Sequence, residues 1–306
     1  MILNSVVPIF AVIALGGVLK RLRMIDERFI GVSDRLIYYI FFPALLFWKI
    51  GKPAPVSGIY WGLICAVLSA VAVVFVASLL LVKLLRMPNF AVGSFTQSCY
   101  RFSTYIGMAV VLGATGEEGV KQFGVLIGFA IPFINILAVS SLIWFSGESC
   151  SWGRQAWILI RSTLSNPLII ACGSGIAYSS LRVPFPAFVD NTLGLMSLLA
   201  LPLALVSIGG SLNFAAFRGY ATYSGIAGLV KLVLLPLVGY AFLEMFQVSE
   251  SAFKVAMIYF ALPTSPANYI LSGQLNSDVE LATAAIVLST LLSVGSLSAT
   301  ILLFCA

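Results

Sequence analysis

A succession of long apolar runs is the feature that most constrains what this chain can fold into. A helix that crosses a bilayer needs about 20 apolar residues, and a helix satisfies its own backbone hydrogen bonds in lipid. The runs therefore predict an all-α integral membrane protein with ten transmembrane helices. They cover residues 3–19, 32–50, 58–82, 91–113, 119–146, 164–181, 187–211, 222–247, 252–274 and 279–305.

Composition agrees with this class and argues against most enzymes. Of the 306 residues, 60% are hydrophobic and 9% are charged, whereas a soluble domain carries about 25% charged residues. The chain contains no histidine, which removes imidazole bases and imidazole metal ligands. Its five cysteines lack CxxC spacing. We therefore expect no enzymatic activity, no cofactor and no metal site.

The basic residues indicate membrane topology rather than a nucleic-acid surface. The net charge is +6, but the seventeen basic residues are scattered near helix ends. With the amino terminus outside, the inward-facing loops hold nine of them and the outward-facing loops hold five. The positive-inside rule then predicts a bacterial-type inner membrane protein with both termini outside. The first span is expected to be retained, since basic residues follow it rather than precede it.

An internal repeat divides the chain into two similar halves. Sliding the sequence along itself by slightly more than half its length superposes Pro8 on Pro167, Gly16 on Gly175, Phe29 on Phe188, Pro43 on Pro202 and Gly51 on Gly210. A slide longer by one residue superposes Thr104 on Thr264 and Gly113 on Gly273. We predict one integral domain made of a first five-helix repeat (1–146), an interfacial linker (147–163) and a second repeat (164–306). Because five is odd, the second repeat must be inverted, an arrangement typical of transporters.

A charged residue interrupts the fourth span. Arg101 lies about ten residues inside it, and a centred arginine costs at least about 2.5 kcal/mol on insertion scales. Helical spacing would place it on one polar face with Gln97, Thr104, Tyr105 and Met108. It could be a structural arginine that bonds loose carbonyls or one that snorkels to an edge, but an anion-facing role is favoured.

Two prolines predict that the ninth span breaks. Pro263 and Pro266 remove two amide donors and should leave the carbonyls of Tyr259 and Leu262 without helical partners. Unwound backbone at membrane depth is tolerated where it is buried in protein or lines a cavity. A simple proline kink is the alternative. The polar candidates beside the break are Thr264, Ser265 and Asn268.

Two further polar residues fall inside apolar spans. Lys231 lies in the eighth span, where it either neutralises an acid or a carbonyl or supplies a fixed positive charge near a substrate. The sequence does not choose between these interpretations. Asn135, three residues after Pro132 in the fifth span, is a weaker candidate.

In order along the chain, several short stretches resemble those of the auxin efflux carrier family, which includes the PIN-type carriers of plants. They are residues 4–10 (NSVVPIF), 42–45 (FPAL), 101–107 (RFSTYIG), 166–170 (NPLII), 262–268 (LPTSPAN) and 288–292 (LSTLL). Family members often have asparagine where this chain has Ser103, and PIN-type carriers have a proline next to the glycine that is Gly107 here.

The resemblance implies a fold shared with bile acid symporters and sodium–proton antiporters. Spans one, two, six and seven would form a scaffold, and the other six a mobile transport domain in which spans four and nine cross as broken helices. It also implies an organic anion as substrate and a homodimer that associates through the scaffold.

These expectations combine into a secondary active transporter of a small organic anion, auxin-like or a carboxylate. The candidate substrate-binding residues are Arg101, Ser103, Thr104, Tyr105, Asn135, Lys231, Thr264, Ser265 and Asn268, and the expected helix breaks lie at Gly107, Pro263 and Pro266. The expected partners are the lipid bilayer and the anion, with proton or sodium coupling left open. Alternatives are an ion-coupled antiporter or a bile-acid-type sodium symporter of the same fold, and a transporter-like membrane sensor.

Overall fold

The computed structural model describes residues 5–52, 60–145, 165–212 and 217–305, and throughout these ranges every regular element is a helix. The predicted linker at 147–163 lies outside them. The helices are α1 (Val7–Arg21), α2 (Glu27–Leu36), α3 (Phe42–Gly51), α4 (Trp61–Leu84), α5 (Asn89–Tyr100), α6 (Thr104–Phe145), α7 (Pro167–Ser180), α8 (Ala187–Ser211), α9 (Phe217–Leu229), α10 (Leu235–Met245), α11 (Glu250–Ala261), α12 (Ala267–Gln274) and α13 (Val279–Phe304). Two π-helical segments, Ile37–Phe41 and Val230–Leu234, join α2 to α3 and α9 to α10.

Six stretches of the described chain are long and apolar enough to cross a membrane. They are Glu27–Gly51, Trp61–Leu84, Asn89–Phe145, Ala187–Ser211, Gly219–Met245 and Val279–Phe304. The protein is therefore a multi-pass, all-helical membrane protein. Each of the ten predicted runs overlaps one or more of the helices α1–α13, while the count of ten crossings and their inversion stay predictions.

Short polar side chains begin several of these helices. The Asp26 carboxylate accepts a hydrogen bond from the Phe29 amide at 2.7 Å, and the Asp278 carboxylate accepts one from Leu281 at 3.0 Å. Each bond satisfies a backbone donor that has no partner within the helix. Gly116 interrupts α6 with φ +70°, so the helix before it and the helix after it run in different directions.

Residues with a left-handed backbone recur in pairs that follow the sequence repeat. Arg23 and Arg182 have φ values of 57° and 54°, and the slide that superposes Pro8 on Pro167 also superposes these two residues. Nearly the same slide superposes Arg86 on Gln247, with φ values of 50° and 49°. It also superposes Gly116 on Asn276, with φ values of 70° and 51°. These six are all the positive-φ residues in the described ranges. Because each marks a turn between helices, the recurrence supports a repeat of structure as well as of sequence.

The helices pack into two groups. The smaller group consists of α1, α2, α3, α7 and α8, and the larger group contains α4, α5, α6 and α9 to α13. Among the described residues, the main contacts between the groups all involve α6, which touches α1, α3, α7 and α8. The two groups contain the helices that the family resemblance assigns to a scaffold and to a transport domain, and those two roles stay predictions.

Within the smaller group, α1 and α8 approach so closely that glycine is required. A Cβ atom at Gly209 would overlap with the carbonyl oxygen of Ile13, and one at Gly16 would overlap with the carbonyl oxygen of Val206. Both obstacles are backbone atoms, so no side chain could move to make room. The two helices therefore cross with their backbones nearly in contact, as small residues allow in membranes.

We expect Gly209→Ala to lower the midpoint of thermal unfolding in detergent, because α1 and α8 must separate to admit the methyl group. Overpacking of this kind costs about 1–3 kcal/mol. Gly225→Ala is the matched control, since a Cβ there meets no atom within 4 Å. Equal unfolding midpoints for the two variants would contradict the close crossing.

Candidate functional site

Two helices are interrupted next to each other inside the larger group. Helix α5 ends at Tyr100 and α6 begins at Thr104, while α11 ends at Ala261 and α12 begins at Ala267. The non-helical residues 101–103 and 262–266, which we call the crossover, are joined by a hydrogen bond from the Ser103 amide to the Pro263 carbonyl at 2.9 Å. A backbone amide at one break thus satisfies a backbone carbonyl at the other break.

The break between α11 and α12 follows from its prolines. Pro263 offers no amide to the Tyr259 carbonyl, but that carbonyl accepts a longer bond of 3.4 Å from Leu262. The prediction that the Tyr259 carbonyl has no helical partner was therefore wrong, because the last turn tightens. Pro266 has helical backbone angles and precedes α12 directly, which suits a residue without an amide donor.

The break between α5 and α6 forms without a proline. Arg101 has the extended angles φ −63° and ψ 154°, nearly those of Leu262 at −67° and 147°. A continuous polar face from Gln97 to Met108 was therefore a wrong prediction, because these two residues lie on different helices. The fourth span is interrupted for three residues and the ninth for five.

Arg101 is buried in the crossover, and the described residues include no acidic partner for it. Its side chain is 5% exposed, and one guanidinium nitrogen donates to the Asn135 side-chain oxygen at 3.0 Å. Its Nε has no hydrogen-bond partner within the described ranges, and no ion pair there involves it. Asn135 therefore orients the guanidinium but leaves its charge uncompensated.

Two hydroxyl groups beside Arg101 are also buried without partners. The Ser103 and Thr264 side-chain oxygens form no hydrogen bond within the described part of the chain. The Thr264 amide, by contrast, donates to the Ser289 hydroxyl at 3.2 Å, so its backbone is fixed. Because buried polar atoms are nearly always satisfied in folded proteins, orphaned ones mark places where a ligand can bind.

Two other candidates near the break are engaged with the protein itself. The Asn268 amide nitrogen donates to the Ser94 carbonyl at 3.1 Å and to the Ser98 hydroxyl at 2.8 Å, and its oxygen accepts from Ser272 at 3.2 Å. The Ser265 hydroxyl accepts from the Ala267 amide at 3.2 Å. In this conformation Asn268 holds α12 against α5, and the Ser265 hydroxyl satisfies the first backbone amide of α12.

Serine residues that the sequence reasoning missed complete this framework. The Ser94 hydroxyl donates to Ser272 at 2.8 Å and lies 3.0 Å from the Ser277 hydroxyl. Ser277 in turn donates to the Phe90 carbonyl at 2.8 Å. A signal was present, since serine or asparagine recurs four residues apart at 94 and 98 and at 268 and 272.

The remaining candidates on α6 lie just beyond the break. Thr104 is its first residue, and the Tyr105 ring packs edge to face on Phe42 with centroids 4.7 Å apart, at the boundary between the groups. Gly107 was predicted to be part of the break, which was wrong. Its amide donates to the Ser103 carbonyl within the first turn of α6. Glycine is needed there because a Cβ would lie 2.6 Å from a Leu262 methyl carbon.

Lys231 is fully buried on the π-helical segment before α10. Its ammonium donates to the Phe260 carbonyl at 3.2 Å. That carbonyl belongs to the last turn of α11, one residue before the helix ends. A carbonyl partner agrees with the first of the two explanations that the sequence left open, while a positive charge near the substrate stays a prediction.

The electrostatics of the crossover favour an anion. The amino-terminal ends of α6 and α12 and the carboxyl-terminal ends of α5 and α11 all lie there, so their partial charges of about one half roughly cancel. Arg101 and Lys231 then leave an excess of positive charge. No group of three or more cysteine or acidic residues that could hold a metal occurs in the described ranges.

Comparisons with known proteins agree with this description. A family model described as membrane transport protein matches residues 154–301. An uncharacterized transporter of Methanothermobacter thermautotrophicus is 23% identical over 96% of this chain and 95% of its own length, and one of Methanocaldococcus jannaschii is 23% identical over 96% of each. A protein of Rhizobium meliloti named as a proposed malonate transporter is 24% identical over 97% of this chain and 94% of its own. The match to residues 154–301 and these relatives of nearly equal length support a transporter rather than an enzyme, in agreement with the resemblance of the motifs to those of the auxin efflux carriers.

Proposed function

We propose that this transporter is a secondary carrier that binds a small organic anion at the crossover and moves it by alternating access. The observation that carries the proposal is the uncompensated charge of Arg101, which is 5% exposed and bonded to the neutral side chain of Asn135. A buried charge without a counterion is costly. A carboxylate at this position would offset that cost.

The atoms without partners suit a carboxylate. A guanidinium presents parallel N–H donors that match two carboxylate oxygens, and the Arg101 Nε is free for one of them. The orphaned hydroxyls of Ser103 and Thr264 can donate to the same group. Lys231 adds a second positive charge near the end of α11. The relative named for malonate makes malonate the first anion to test.

The repeat supports an alternating mechanism. Ser103 and Pro263, which superpose in the same register as Thr104 and Thr264, are hydrogen-bonded to each other, as expected where a two-fold axis passes between inverted halves. The two halves could then exchange conformations around one site. Since the main contacts between the groups run through α6, the larger group can shift against the smaller one by changing few contacts.

We expect Arg101→Gln to lose most anion binding, about 2–4 kcal/mol, because it removes one partner of a desolvated charge pair. Arg101→Lys should bind weakly, since a point charge replaces a planar pair of donors. The measurement is binding and uptake of malonate, succinate and indole-3-acetate by purified protein and proteoliposomes. Arg35→Gln is the matched control, because Arg35 is exposed and bonds its own helix at the Gly31 carbonyl. Parent-like binding by Arg101→Gln would show that the arginine is structural.

The inverted repeat predicts that equivalent turns lie on opposite sides of the membrane. In a chain freed of its native cysteines, Glu118→Cys after the Gly116 turn and Gln274→Cys before the Asn276 turn are both exposed. A membrane-impermeant thiol reagent added to right-side-out vesicles should label one of them and reach the other after permeabilisation. Labelling of both from one side would contradict the inversion.

A disulfide between the groups should stop transport if the groups move past each other. A Cβ at Gly128 of α6 would lie 3.3 Å from the Cys172 Cβ of α7, close to the roughly 3.5–4.5 Å of natural disulfides. We expect oxidised Gly128→Cys protein to lose nearly all uptake and to regain it on reduction. The double variant Gly128→Cys, Cys172→Ala should show the same uptake with and without the oxidant. Undiminished uptake by fully cross-linked protein would contradict relative movement at this contact.

A further inference from the structure

Lys231 is a buried charge of a different kind from Arg101. Its side chain is 0% exposed, and its one hydrogen bond among the described residues is the 3.2 Å bond to the Phe260 carbonyl. The ring of Tyr259 lies 5.9 Å from the ammonium. No carboxylate forms an ion pair with Lys231 in the described ranges. Nothing there compensates a full positive charge.

Lysine and arginine respond differently to such surroundings. A guanidinium keeps its proton in proteins, whereas a buried amine can release one and become neutral. A neutral lysine amine still carries two N–H donors, so the bond to Phe260 can persist in both charge states. Of the two buried cations near the crossover, Lys231 is therefore the one whose charge can change without loss of its contact.

In the described part of the chain, no carboxylate faces the Lys231 ammonium from the helices that pack around it. The π-helical segment packs against α4, α5, α9, α10, α11 and α13. The titratable side chains that face the ammonium from these helices are Cys99 of α5 and Tyr259 of α11. The acids Glu244 of α10, Glu250 of α11 and Glu280 of α13 and the cation Lys83 of α4 are exposed near helix ends, and Lys254 of α11 is paired with Glu250 at 2.8 Å.

We propose that Lys231 is a proton-binding site that couples movement of the anion to the proton gradient. The inference rests on the proposed anion carriage. A bound monoanion offsets one of the two positive charges of Arg101 and the ammonium, so the loaded carrier has the same net charge as an empty carrier with a neutral amine and can change conformation. After the anion leaves, the ammonium releases its proton to water on the open side, leaving a neutral amine for the return of the empty carrier. One proton and one anion then cross together.

The transport test compares Lys231→Arg, which keeps the charge permanently, with Lys231→Met, which removes it. Proteoliposomes are given a gradient of one pH unit with the membrane potential clamped at zero and are supplied with labelled malonate or succinate, whose charged forms do not cross lipid unaided. Coupling to one proton gives about tenfold accumulation. We expect this in the parent and in the control Lys83→Met, and about onefold in both Lys231 variants. A parent that exchanges the anion but ignores the pH gradient, or a Lys231→Arg protein that still accumulates it, would overturn the inference.

A second measurement needs no substrate. A group that binds protons differently in the folded and unfolded chain makes stability depend on pH. The difference in unfolding midpoint between the parent and Lys231→Met should therefore change with pH. A constant difference for Lys231→Met would overturn the inference even if anion transport is found. Failure of all three anions to bind would instead count against the proposed function.

Discussion

The hydrogen bond between the Ser103 amide and the Pro263 carbonyl is the interaction on which the site depends. A chain this apolar must satisfy its backbone polar groups internally, because lipid offers no partner for them. Two interrupted helices can coexist at membrane depth when each supplies what the other lacks, and this 2.9 Å bond does so. It brings four helix ends to one place, and with them the buried charges of Arg101 and Lys231.

Polar groups near the crossover divide into those bonded within the framework and those with atoms that have no partner among the described residues. Ser94 and Asn268 are satisfied within a network that ties α5 to α12. Arg101, Ser103 and Thr264 retain atoms without partners. The distinction is energetic. A satisfied buried network stiffens the structure, whereas a buried polar group without a partner carries an uncompensated desolvation cost. The same residue types therefore serve different ends a few residues apart.

The sequence predicted the break at Pro263 and Pro266 because proline acts locally, by removing an amide donor. It could not locate the break at Arg101, which no proline marks, and it assigned Gly107 to that break although glycine serves there to admit Leu262. The bond between Arg101 and Asn135 joins residues 34 positions apart on different helices. Pairings of that kind depend on how different helices pack together. The periodicity within one helix gives no information about this packing.

The repeat itself shows that the buried cations are not needed to build the breaks. The position equivalent to Arg101 is Ala261, and the second half forms its break without a charge there. The registers of the repeat on either side of Lys231 superpose it on residues 70–72, which are alanine or valine inside the regular helix α4, whereas Lys231 lies on a π-helical segment of the kind often found at functional sites. The other half of the fold thus forms with apolar residues at both places. Two buried charges that the other half lacks, each costly to bury, are what the proposed binding and release of an anion would require.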